Sequence, residues 1–180
     1  MWQRYTLFFH DTPLIIRPLS GGDLVLLQTL HQHVSPDSLY YRYLRPYRPT
    51  TAELRHMCQL GEKGAGYVAI TEAPTPVAIG VAHYVLVPGQ HPLVAEPAFL
   101  VQDRFQGQGV GRLLFHAMSK HAQIQGIHAF NAYVHPANGA MLRVFRSSGL
   151  PLQTQIEDGV QQVQIVLDAN AVQQASFSFN

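Results

Sequence analysis

The stretch FLVQDRFQGQGVGRLL, residues 99–114, decides the fold. Its first residues read as the end of a strand, and its last ones open a leucine-rich helix. Between them stand Gly107, Gly109 and Gly111, at alternate positions. Two readings compete for that spacing. Glycine could supply positive φ and close packing in a tight strand-to-helix turn. Alternatively, bare backbone lets N–H groups approach an anion, and the helix that follows adds its unpaired donors and the positive end of its dipole.

Outward from the loop, the periodicity changes on each side. Downstream, Val110, Leu113, Leu114, Ala117, Met118, His121 and Ile124 recur at helical spacing, so one helix face should pack on a sheet, with Gly126 ending it. Ala129 to Val134 reads as a strand, and Asn138 to Ser148 as a helix closed by Gly149. Leu152 to Glu157 and Val160 to Leu167 flank Asp158-Gly159, a strong hairpin signal. Upstream, Tyr67 to Thr71, Val77 to Val87 and Leu93 to Val101 read as consecutive antiparallel strands. Turn compositions separate them, Glu72 to Pro76 and Pro88 to Pro92.

The first third holds a hairpin, Tyr5 to Phe9 and Leu14 to Arg17 around His10 to Pro13, followed by three helices. Leu24, Leu27, Leu30 and Val34 give Asp23 to Val34 an amphipathic period. Ser35-Pro36-Asp37-Ser38 starts a second helix, with serine as N-cap and proline first. Thr50 and Glu53 form a capping box ahead of a third, whose apolar stripe includes Cys58. Strand, glycine loop, helix, strand implies one parallel pair in a mostly antiparallel sheet. No repeat or linker divides residues 1–180, so a single domain is expected.

Composition narrows the function. Charged residues are only 13%, with a net charge of +1, too few cations for a nucleic-acid partner. Val77 to Val87 is too short to span a membrane, and Met1 to Tyr5 leads into no signal-peptide core. A single cysteine, Cys58, excludes an internal disulfide and points to the cytoplasm. The ten histidines contain no pair three or four apart, so no metal site is expected and they read as surface or singly satisfied groups.

Three anion-binding loops can be set against residues 106–112. A P-loop needs Lys-Ser or Lys-Thr after the last glycine, where Arg112-Leu113 stands. A Rossmann fingerprint needs repeated βαβ units and an acid about twenty residues on, and here an antiparallel meander precedes the loop. The third comparison fits. Gln106-x-x-Gly109-x-Gly111 resembles the Q/R-x-x-G-x-G/A pyrophosphate loop of the GNAT family of N-acetyltransferases. The segment Asn138 to Leu150 resembles that family's N-x-x-A/M…Y/F-x-x-x-G-F/L segment. Thr12 to Pro18, Val34 to Leu44 and Ala95 to Phe99 look like segments of the GNAT module of bacterial protein-lysine acetyltransferases.

The resemblance implies the GNAT fold, an α+β or α/β arrangement. It has a mixed, mostly antiparallel sheet of about seven strands, a central splayed parallel pair, and helices on both faces. It implies acetyl-CoA as co-substrate and no metal. Contacts to the coenzyme would come from Phe99, Leu100, Val101, Gln106, Gly107, Gln108, Gly109, Val110, Gly111, Arg112, Asn138 and Phe145. For Asn138 a plain N-cap is the alternative. Tyr40 to Arg48 carries an aromatic and basic cluster that could guide an acidic acceptor or pack as a helix face.

Glu96 is the candidate catalytic base. A primary amine with a pKa of about 10.4 costs about 4.6 kcal/mol to deprotonate at pH 7, so a transferase needs one. Glu96 stands in an apolar strand entering the glycine loop and matches the base position of the resembled group; the alternative is a solvent-facing glutamate. Pro97 after it suits a strand that bulges and splays. Many family members carry a tyrosine, four residues before the closing glycine, that protonates the leaving thiolate. Here that place is Phe145, and Tyr133 and Ser147 are the other hydroxyls to weigh. The expected function is acetyl transfer from acetyl-CoA to a protein lysine or small-molecule amine by direct attack. The alternative is a non-catalytic acyl-CoA-binding regulatory module.

Overall fold

Alternation along the middle strands sends successive side chains to opposite sides of one sheet. The computed structural model describes residues 5–9, 12–71 and 75–167; the turn residues His10, Asp11, Glu72, Ala73 and Pro74 lie outside them. The strands are β1 (Tyr5–Phe9), β2 (Thr12–Pro18), β3 (Gly64–Thr71), β4 (Val77–Leu86), β5 (Val94–Val101), β6 (Ala129–Val134), β7 (Leu152–Glu157) and β8 (Val160–Val166). They lie in the order β1-β2-β3-β4-β5-β6-β8-β7, eight strands against about seven expected. Neighbours are antiparallel except β5 and β6. The helices are α1 (Leu24–Gln32), α2 (Pro36–Tyr43), α3 (Thr51–Met57), α4 (Val110–Ile124) and α5 (Gly139–Arg146).

Two cores result, one on each face. Tyr67 and Ala69 join Leu114, Phe115 and Met118 of α4 and Phe145 of α5. Val68 and Ile70 join Leu27, Leu30, Leu39, Leu54 and Cys58 under α1 to α3. The α4 stripe is as its spacing predicts, except that Ile124 at its end is 80% exposed. The strand β3 begins three residues before Tyr67, because glycine there permits close approach rather than breaking the strand. A Cβ on Gly64 would lie 2.0 Å from the Tyr84 carbonyl oxygen, and one on Gly66 2.6 Å from Leu19. Likewise α1 starts after Asp23, whose carboxylate receives both Arg17 nitrogens at 2.7 and 2.8 Å and the Ser20 N–H at 2.8 Å.

One irregularity opens the sheet. The parallel pair is joined only at Val94–Ala129 and Ala95–Phe130. Beyond those residues β5 continues with β4 and β6 with β8, and the two strands part. Pro97 stands just past the last parallel pair, at the end of that ladder, a setting proline tolerates. The strand splays there as expected but without a bulge: Glu96, Pro97 and Ala98 pair in unbroken register with Val85, Tyr84 and His83.

Candidate active site

The splay between β5 and β6 forms a cleft of about 900 Å³. Its floor is β5 from Glu96 to Val101 and β6 from Ala132 to Val134. The glycine loop and the first turn of α4 close one end, α5 forms a side, and the end of α2 forms the opposite wall. Thus the cleft gathers Phe99, Leu100, Val101, Gln106, Gly107, Gln108, Gly109, Gly111, Arg112, Asn138, Phe145 and Glu96 around one space. Val110 is not among its lining residues. Its side chain is 1% exposed in the α4 core, so only its backbone can face a ligand.

The glycines of the loop have distinct backbone roles. Gly107 and Gly109 have φ of +72° and +90°, where a side chain strains the backbone. A Cβ on Gly111 would sit 3.2 Å from Val144 of α5, so this glycine serves close helix packing. The same turn also provides the backbone donors that the anion reading requires. The first bond of α4 runs from Leu113 N to Gly109 O at 3.1 Å, which leaves the N–H groups of Val110, Gly111 and Arg112 outside the helical ladder. Arg112 is exposed beside them.

Asn138 stands at the N-cap of α5. Its Oδ1 accepts from Met141 N at 3.1 Å, capping α5, and the residue also lines the cleft. Phe145 is 1% exposed, its ring centroid 5.5 Å from that of Phe115 and 6.1 Å from that of Phe99. Tyr133, 50% exposed, and Ser147 both line the cleft, and the Ser147 hydroxyl donates to Val144 O at 2.8 Å.

Glu96 lines the cleft but is exposed, so the apolar surroundings its strand suggested do not enclose it. By the two-residue period it shares a face with Leu100, toward α2. From α2 and the turn after it come Tyr41, Arg42, Tyr43, Leu44 and Arg45. Arg42 lies 4.6 Å over the Tyr43 ring, and its Nη2 donates to Nε2 of His83 at 3.3 Å. Burial, then the Arg42 charge and the neighbouring His31, push His83 down to about 3, so at neutral pH it is an uncharged acceptor. Tyr43 is fixed in turn: His31 donates from Nδ1 to Leu27 O at 2.8 Å, which leaves its Nε2 to accept the Tyr43 hydroxyl at 3.0 Å. His31 and His83 are therefore buried structural groups, and His31 is doubly bonded, unlike the surface or singly satisfied histidines expected.

Sequence reasoning missed Asp103, which fastens the acceptor wall to the loop. It receives Ser35 N at 2.8 Å, Ser35 Oγ at 2.6 Å and Ser38 Oγ at 2.7 Å. Gln106 adds to the tie by donating to Ser38 Oγ at 2.9 Å and Val101 O at 3.1 Å. The serines were legible only as helix-capping residues. Elsewhere, burial pushes the Cys58 thiol up, and it lies in the α1–α3 core away from the cleft. Among the described residues no three His, Cys, Asp or Glu side chains converge as metal ligands, and no helix is long and apolar enough to cross a membrane.

Comparison with known proteins bears on this arrangement. The acetyltransferase (GNAT) domain model matches residues 13–151. The acetyltransferase Pat of Mycolicibacterium smegmatis is 30% identical over 134 residues, which is 74% of this chain but 40% of that protein. The chain therefore spans less than half the length of that relative. The GNAT domain of S. lividans PAT superposes with a TM-score of 0.79 at 29% identity, covering 91% of this chain and 96% of that one. The yncA protein of Salmonella typhimurium, solved with its cofactor acetyl-CoA, shares the fold. Its TM-score is 0.70 at 19% identity, over 90% of this chain and 98% of that one. With the glycine loop, the splayed pair and the family model in agreement, the chain belongs to the GNAT acetyltransferase family.

Proposed function

We propose that this chain transfers an acetyl group from acetyl-CoA to a primary amine, a protein lysine or a small-molecule amine. The observation that carries this reading is the cleft between β5 and β6, with free N–H groups at one end and a carboxylate, Glu96, on its floor. A pyrophosphate on Val110, Gly111 and Arg112 N–H directs the pantetheine arm into the splay, where parted strand edges offer backbone partners. The Asn138 side-chain amide and the ring of Phe145 border that path. That the yncA protein holds acetyl-CoA on the same fold supports this choice of co-substrate.

In the transfer step the amine nitrogen attacks the thioester carbonyl carbon, the C–S bond breaks, and the amine proton passes to Glu96, directly or through water. The base remains accessible to water because Glu96 is exposed. A tetrahedral intermediate collapses to the amide and a thiolate, which leaves without a tyrosine because a thiol of pKa about 8.5 is already a fair leaving group. A route through an acyl-enzyme has no thiol nucleophile, since Cys58, the one cysteine, is buried in the other core. A cytoplasmic setting accords with one cysteine and no internal disulfide.

Glu96→Gln tests the assignment, since it keeps shape and removes the base. Acetyl-CoA affinity by calorimetry should stay, while transfer falls by about 10²–10⁴ and recovers as pH rises and free amine becomes available. A variant with the wild-type rate and pH profile would remove Glu96 from the mechanism. Tight acetyl-CoA binding with no transfer by the wild type to any amine would favour the non-catalytic acyl-CoA-binding reading.

A further inference from the structure

Arg42 stands on the cleft wall without a carboxylate partner. It makes no ion pair among the described residues, where Arg17 pairs with Asp23 instead. Its bonded partner is a buried imidazole, His83, uncharged at neutral pH, which takes one N–H and cancels no charge. The guanidinium carbon lies 4.6 Å over the centroid of the Tyr43 ring. Its remaining donors carry no partner in the described structure. Burial of a guanidinium without a counter-ion is costly, and the fold nonetheless fastens the elements around it through the His31–Tyr43 bond.

The other cations of the cleft are otherwise placed. Arg112 opens α4 and Arg143 lies on α5 beside Gly139, both on the pyrophosphate side. Arg45 stacks 4.3 Å from the Tyr47 ring, and Tyr47 donates to Glu53, so it is held by its own turn. Among the described residues Glu96 is the one carboxylate residue lining the cleft. The acceptor half thus presents a negative group on β5 and an unmatched positive group on α2. Burial pushes the Arg42 guanidinium below its ordinary value, with Tyr43 and Glu96 opposing that shift, so both groups act on the same small volume.

We propose that the acceptor is an amine that itself carries a carboxylate, received by Arg42 while its amine faces Glu96. This deepens the transfer reading and rests on it. The carboxylate has two sources with one chemistry: an acidic residue beside the modified lysine, or the α-carboxylate of a free amino acid. A guanidinium donates to either carboxylate in a bidentate fork.

The test uses the whole chain and two matched pairs of amines. One pair is acetyl-Asp-Lys-amide and acetyl-Asn-Lys-amide; the other is Nα-acetyl-lysine and its amide. Rates with saturating acetyl-CoA should give kcat/KM about tenfold higher for the acidic member of one pair, shrinking at high salt. The pair that shows it identifies the source. Arg42→Gln should bring both members of that pair to the same kcat/KM, and a preference that survives the substitution overturns the inference. Equal kcat/KM for both members of each pair with the wild type overturns the inference alone, and needs no variant that folds. Bound acetyl-CoA with no transfer to any of the four overturns the transfer reading, and this inference with it.

Discussion

Replacing Asp103 with alanine should loosen the acceptor wall and leave the pyrophosphate loop able to bind. The carboxylate takes three hydrogen bonds of 2.6 to 2.8 Å from Ser35 and Ser38, residues at the start of α2. Each such bond to a charged group is worth about 1.5–3 kcal/mol when shielded. Asp103 is exposed, so water competes, and the three together should be worth about 1–2 kcal/mol. For a chain of this size that is a fall in melting temperature of about 3–6 °C. Ser35 still caps α2, accepting from Ser38 N at 3.2 Å, so the helix should persist and shift rather than unfold. Because α2 carries Arg42 and Tyr43, a displacement approaching an ångström should cost about tenfold in kcat/KM for the amine, with a smaller change in acetyl-CoA affinity.

Acid should reproduce the effect. Burial alone would raise Asp103, but hydrogen bonds from Ser35 and Ser38 outweigh it and hold the carboxyl below its ordinary value. A depressed native value means that the tie's contribution is complete above the ordinary carboxylate value and is lost as pH falls through the native one. Asp103→Asn should flatten that part of the acid limb. Thermal melting by circular dichroism and steady-state kinetics over the amine read both effects. An Asp103→Ala protein with unchanged melting and unchanged kcat/KM for the amine would refute the tie as a positioning device.

Two other substitutions separate structural from binding roles. Asp23→Asn should cost about 2 kcal/mol in chemical denaturation, because it leaves the Arg17 fork facing a neutral amide. Burial raises Asp23 but bonds from Arg17 and Ser20 hold it below its ordinary value, so the gap between wild type and variant should close as pH falls through that native value. Asn138→Ser keeps an N-cap oxygen and removes the side-chain amide. It should melt within about 2 °C of the wild type, since serine caps nearly as well, yet bind acetyl-CoA more weakly by calorimetry; equal affinity would leave Asn138 as a cap alone.

Local features were the legible ones. The α4 stripe, the Thr50–Glu53 box and the Asp158-Gly159 turn each depend on neighbours within a few residues, and each is present in the fold. Glycine misled at Gly64 and Gly66, because a strand that needs another backbone close by uses the residue that elsewhere breaks strands. Glu96 was read as sitting among apolar residues because its sequence neighbours are apolar. Yet a strand residue meets its cross-strand and facing neighbours, and β6 has already parted from β5 at that level. Asp103 and its serines lie 65 and 68 positions apart, beyond any local period.

In the glycine loop the turn and the proposed anion site use the same residues. Gly107 and Gly109 turn the chain through positive φ, and Gly111 lets α5 pack beside α4. That turn also leaves the first N–H groups of α4 outside the helical ladder, so on the proposed reading the turn makes the cradle. A side chain at Gly109 would therefore strain the turn and lose the anion site together, and the loss could not be divided between them. The separable groups are side chains that reach the cleft from other elements, such as Glu96 on β5, Arg42 on α2 and Asn138 before α5. Each can change its chemistry without changing the backbone that holds it, which is where the distinction between a coenzyme-binding fold and a working transferase becomes measurable.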